Sequence, residues 1–143
     1  MAARPIDPAA LRASLAAVAA WLADPAVAAP ARAELAAAVR HSARTLAQRA
    51  PGHSVELRVP PFVSVQCIEG PRHTRGTPPN VVETDPRTWL ELVVGATDFE
   101  TVVAAGRLRA SGTRAGAVAR FLPLAGPDQA DAGEACRSSP LRS

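Results

Sequence analysis

Lysine and tyrosine are missing from this 143-residue chain, and large aromatics are scarce: three phenylalanines and two tryptophans. All 16 basic side chains are therefore arginine. Apolar residues make up 48% of the sequence, but much of that is alanine. The core must then come from Leu, Val and Ala, with few large anchors. Small side chains either pack tightly or leave room for a guest. The formal net charge is +3. No alternation of aromatic and basic residues accompanies it, so nucleic-acid binding is not expected. The Arg-only bias, with abundant Ala, Pro and Gly, reads as GC-rich codon usage.

Long hydrophobic runs are also missing, and no stretch is long enough to span a membrane. Met1–Ile6 lacks a hydrophobic signal region, and Asp7-Pro8 follows at once. A cytoplasmic protein is expected, with at most transient membrane contact. Of the two cysteines, Cys67 sits in an apolar run and Cys136 in a polar tail; neither has a near partner or zinc spacing. His41, His53 and His73 form no H-x-x-x-H pair. No metal or cofactor is expected. There is no serine elbow, nucleotide loop or paired-carboxylate motif. No enzymatic activity is expected; a small hydrolase or transferase would need a polar cleft around His73 or Cys67.

Local signals organise the chain into a single domain over 1–124. Its first part, 1–50, is helical; 55–124 carries sheet and helices; 125–143 has no apolar periodicity and is expected to be a disordered tail. Asp7 and Pro8 start a first helix by capping logic. Leu11, Leu15, Val18 and Leu22 form its stripe, and Asp24-Pro25 ends it. A second helix begins at Pro30 with the stripe Leu35, Val39 and Leu46. Arg32, Arg40 and Arg44 lie off that stripe, His41 is expected to be exposed, and Pro51-Gly52 terminates the helix. Val55, Leu57 and Val59 alternate with Glu56 and Arg58 as a half-buried strand. After Pro60-Pro61 a second strand runs from Phe62 to Ile68. Apolar residues on both its faces predict a central position. Gly70–Asn80 is a loop by composition.

The segment from Asn80 to Gly112 is the most regular. A strand over Val81–Thr84 meets the N-cap Asp85-Pro86. Trp89, Leu92 and Val93 then follow at helical spacing until Gly95, predicting a helix over 86–94. Thr97 and Glu100 read as a capping box for a second short helix over 98–105. Phe99, Val102 and Val103 form its face. Gly106 closes it, and Arg107-Leu108-Arg109-Ala110 alternates as a strand stopped by Gly112. Val118, Phe121 and Leu122 predict a last helix ended by Pro123.

This order, closing on Gly106-Arg107-Leu108-Arg109-Ala110-Ser111-Gly112, resembles the second half of a sterol-carrier-protein domain. It is similar to the bacterial branch of that family found in high-GC actinobacteria, with Arg where the family often has Lys. The resemblance covers about half of the chain. It implies an α/β fold of the α+β type: an N-terminal helical pair, a mainly antiparallel sheet of four or five strands, and short helices on one face. It also implies non-catalytic binding or transfer of a sterol, fatty acyl chain or similar lipid, in a cavity between sheet and helices. The family usually has a further strand before Val81, where this chain has a Pro-rich loop. That shortens one wall of the implied pocket.

Candidate lining residues are Val63, Val65, Trp89, Leu92, Val93, Phe99, Val102, Val103, Leu108 and Phe121. Their spacing alone equally describes an ordinary core. Arg72, His73, Arg75 and Asn80 are candidates for a polar head group, by forked hydrogen bonds from the guanidiniums. The same groups serve equally to satisfy the loop's own backbone. The alternative to a carrier is a structural or interaction module of the same fold with no lipid ligand; an apolar void discriminates the two.

Overall fold

The computed structural model describes residues 5–71 and 80–125. Arg72, His73, Arg75, Cys136 and the expected tail from 126 onward lie outside the described residues. Elements follow in the order α1 Pro8–Ala23, α2 Arg32–Arg49, β1 Val55–Val59, β2 Val63–Cys67, β3 Val81–Thr84, α3 Pro86–Val94, α4 Phe99–Ala104 and β4 Leu108–Ser111, then a 3-10 helix Ala115–Phe121.

Each helix start follows from a side-chain acceptor at its N-terminus. The Asp7 carboxylate accepts from Ala9 N at 3.0 Å, with Pro8 next in line. Asp85 accepts from Thr88 N at 2.9 Å and from Thr88 Oγ1 at 2.8 Å. Such acceptors satisfy the free N–H groups of a first turn. Gly95 ends α3 at φ 82°, the left-handed cap that glycine adopts without strain. The helices differ from the sequence reading in three respects. The second helix starts at Arg32, two residues past Pro30, because Glu34 reaches back to Ala31 N at 3.1 Å. Asp98, not Thr97, caps α4, accepting from Thr101 N at 2.8 Å. The last helix is 3-10 in character.

Four strands form one mixed sheet in the order β2-β1-β3-β4. The pairs β1–β2 and β3–β4 are antiparallel, while β1–β3 is parallel. β2 is therefore an edge strand, which corrects the central position expected from its composition. Phe62 belongs to the turn, donating its N–H to Val59 O at 2.9 Å. Ile68 leaves the strand at φ 69°. Without these two, the apolar residues of β2 (Val63, Val65, Cys67) all lie on one face.

The two sheet faces differ in chemistry. Register puts Val55, Leu57, Val59, Val82 and Leu108 on the inner face, each fully or almost fully buried. α2 lies against β2 and packs on α1 and α3. Leu11, Leu15, Val18 and Leu22 of α1 enter the same core. The outer face carries a ladder of alternating charge: Arg58 contacts Glu56 at 3.1 Å and Glu83 at 3.8 Å, and Arg109 reaches Glu83 at 3.3 Å. Ser64 donates to Glu56 at 2.7 Å. The Arg58 and Ser64 bonds hold the Glu56 carboxyl below its ordinary value.

Candidate functional site

The candidate residues fall into three places. Trp89, Leu92, Val93, Val102 and Leu108 lie in the core, at 0 to 3% exposure. Trp89 sits on α3 facing α2, and its indole Nε1–H donates to Ser42 Oγ at 2.8 Å. That hydroxyl also donates back to Ala38 O at 2.7 Å. A buried indole needs such a partner, and here it locks α3 to α2. Val63 and Val65 pack half-buried at the sheet edge. Cys67 beside them is a buried free thiol, pushed up to about 11 by burial. Val103 points outward at 39% exposure, so it does not share the inward face of Val102.

Phe99 and Phe121 go elsewhere, one to each of two grooves on either flank of the 3-10 helix. The first groove, about 600 Å³, is lined by Phe99, Ala119, Leu122 and Pro123, with Gly95 and Gly116 among its walls. Thr97, Asp98 and Glu100 supply its polar rim. Bonds from Thr101 hold the Asp98 carboxyl below its ordinary value, so the rim is negative at neutral pH. Gly116 shares this lining, and a Cβ placed on it would meet nothing within 4 Å.

The second groove, about 680 Å³, is lined by Ala50, Ile68, Ala117 and Phe121, with Arg49, Arg114, Arg120 and Glu69 around them. Its wall is tightly specified. A Cβ on Gly52 would lie 2.1 Å from the Ile68 carbonyl oxygen, so only glycine fits there. Ile68 holds a left-handed backbone that is rare for a β-branched residue. It is over-determined by its N–H to Ala50 O at 2.8 Å and by two bonds to its carbonyl, from Ser54 N at 3.1 Å and Ser54 Oγ at 2.7 Å. Neither groove is an enclosed cavity.

Asn80, the one head-group candidate among the described residues, is buried and fully engaged. Its Nδ2 donates to Ser54 O at 2.7 Å, and its Oδ1 accepts from Arg114 N at 2.9 Å. It pins the start of the 3-10 helix to the sheet and so fixes the position of Arg114.

His41 is half-buried on α2 rather than exposed, and its Nδ1 is buried without a hydrogen-bond partner among the described residues. Helical spacing missed this because position 41 borders the buried stripe. Nor did spacing single out Arg49, Arg114, Arg120, Ala119 or Pro123. The only local signal was an Arg at each end of Arg114–Arg120, and nothing in sequence ties that segment to Arg49. Among the described residues no three His, Cys, Asp or Glu side chains converge as a metal site would require. No helix there is long and apolar enough to cross a membrane.

Residues 31–124 match the family model described as a bacterial SCP ortholog. No curated protein is similar enough to the chain to count as a match.

Proposed function

The chain belongs to this bacterial sterol-carrier-like family, and from that premise we propose that it binds an apolar ligand without catalysing a reaction. The ligand class is a sterol, a fatty acyl chain or a similar lipid, and the site is the groove between the α3–α4 turn and the 3-10 helix. One observation carries this reading. Phe99, Ala119, Leu122 and Pro123 line a space of about 600 Å³, within the size range of small-molecule sites. Transfer of apolar surface from water into that space would stabilise the complex by roughly 25 cal/mol per Å² buried. The rim carboxylates of Asp98 and Glu100 repel an anionic head. Within the class they favour a neutral ligand, such as a sterol, over a free fatty carboxylate. A cytoplasmic location and transient contact with a membrane surface belong to the same proposal.

Native mass spectrometry of the freshly purified full chain tests it. The expected result is one neutral lipid retained per chain, or one gained on incubation with a sterol. A chain that carries no adduct and gains none overturns the reading.

A second reading has its own observation. The groove is open to solvent, and Val103 on the same short helix is 39% exposed. An interaction module would use this surface for an apolar segment of a protein partner. It predicts a lipid-free chain in the same measurement.

A further inference from the structure

We propose that the groove on the opposite flank of the 3-10 helix is a second binding site, for an organic acid: a carboxylate or phosphate carried on a compact apolar body. Positive charge without a carboxylate partner gathers on this flank. Arg58, Arg87, Arg107 and Arg109 all meet carboxylates within 4 Å. Arg12, Arg32, Arg40 and Arg44 meet none among the described residues, and neither do Arg49, Arg114 and Arg120, which come together around this groove. Arg49 Nη1 donates to the Leu124 carbonyl at 2.8 Å, and Arg114 Nη1 approaches the Glu69 carbonyl at 3.5 Å. These neutral acceptors hold the two guanidiniums in place and leave their charge uncompensated. Each guanidinium has five N–H donors in a planar fork, so donors remain for a ligand. The Arg120 side chain has no hydrogen bond or ion pair among the described residues.

Among the described residues Glu69 is the one carboxylate in the lining, which leaves those residues a surplus of two positive charges. The carbonyl end of α2 adds roughly half a negative charge near Arg49, too little to cancel that surplus. The same lining includes the apolar residues Ala50, Ile68, Ala117 and Phe121, of which Ala117 and Phe121 are the more exposed and form most of an apolar floor. A bare phosphate ion would engage the arginines and leave the floor wet. A neutral apolar molecule would cover the floor and leave the arginines unanswered. Only a molecule with both parts uses the whole groove. Guanidiniums recognise carboxylate and phosphate oxygens alike, by paired hydrogen bonds. The two flanks of one short helix would then select by opposite charge, since Asp98 and Glu100 rim the first groove.

The test titrates the ¹⁵N-labelled full chain with 2-naphthoate, 2-naphthyl phosphate, neutral 2-naphthol and inorganic phosphate. The readout is the amide shifts of Ile68 and Ala117 against those of Gly95 and Gly116. Saturable shifts at Ile68 and Ala117 are expected with at least one of the two naphthyl anions. That anion should bind about tenfold or more tightly than 2-naphthol and weaken as salt rises. The exposed pair Arg114→Gln with Arg120→Gln should weaken binding about tenfold or more, while Arg12→Gln with Arg44→Gln, the same loss of two charges on the exposed faces of α1 and α2, leaves it unchanged. Equal affinity for 2-naphthol, displacement by equimolar inorganic phosphate, an unaffected double variant, or no saturable shift at Ile68 with either anion would each overturn the proposal. The neutral comparison on the parent chain stands even if the double variant fails to fold.

Discussion

The interior beneath α3 and the groove beyond α4 are written in the same sequence language and end up as opposites. Trp89, Leu92 and Val93 recur at helical spacing, and so do Phe99, Val102 and Val103. The first set meets α2, where Ser42 takes the indole N–H and closes the contact. Along the second set only Val102 turns fully inward. Phe99 faces Gly116 and Ala119 across open space. The difference lies in the partner surface. A stripe with a helix packed against it becomes core, even where that helix offers Ala38, Ser42 and Ala43, and a stripe without such a cover borders an open groove, because close packing needs partner atoms on both sides.

The sharpest way to break this comparison is to truncate its anchor. Trp89→Ala removes the largest fully buried side chain and the indole N–H that Ser42 Oγ accepts. The expected loss is about 3–5 kcal/mol in urea unfolding; a loss near zero would mean that Trp89 borders a void. Next comes a pair of enlargements. Val102→Trp overpacks a side chain that is 0% exposed and should cost about 1–3 kcal/mol. Ala119→Trp fills the groove instead and should change stability by no more than about 0.5 kcal/mol. Equal losses in thermal melts would show that both regions are core.

Smaller again is the cap that aims α3 at the interior. Asp85→Ala removes the acceptor of the Thr88 N–H and Oγ1–H bonds and should cost about 1 kcal/mol by denaturant titration. The smallest effect belongs to the charged outer face, the control for both apolar regions. Glu56 titrates below its ordinary value of 4.5 in the folded chain. Its contribution is therefore fully present above pH 4.5 and lost as pH falls through the lower folded value. Glu56→Gln should flatten stability against pH in that acid window and lower it slightly near neutrality, where the Glu56 contribution is fully present. An unchanged acid slope would remove the ladder from the account.

Sequence made the fold readable wherever one residue carries a local signal. Asp7, Asp85 and Gly95 mark element ends because their chemistry acts within one turn. The alternation Val55-Leu57-Val59 marks a one-sided strand because side chains alternate every residue. The order β3, α3, α4, β4 was legible on the same grounds. The place of β2 at the edge was not: it depends on which strand β3 chooses to pair with, which no local pattern states. The grooves were less legible still. A void is a property of residues far apart in sequence, such as Phe99 with Ala119, or Arg49 with Arg114. Asn80 was noticed as a polar residue, but its task of tying Ser54 to Arg114 is visible only in three dimensions.

The central claim is that the first groove, and not the packed interior, receives a neutral apolar ligand. A titration of the parent chain and of Ala119→Trp with an uncharged fluorescent sterol tests it most directly. Saturable one-to-one binding by the parent is expected, with at least tenfold weaker binding by the variant at an unchanged melting temperature. Equal binding by both chains, or no saturable binding by the parent, would contradict it.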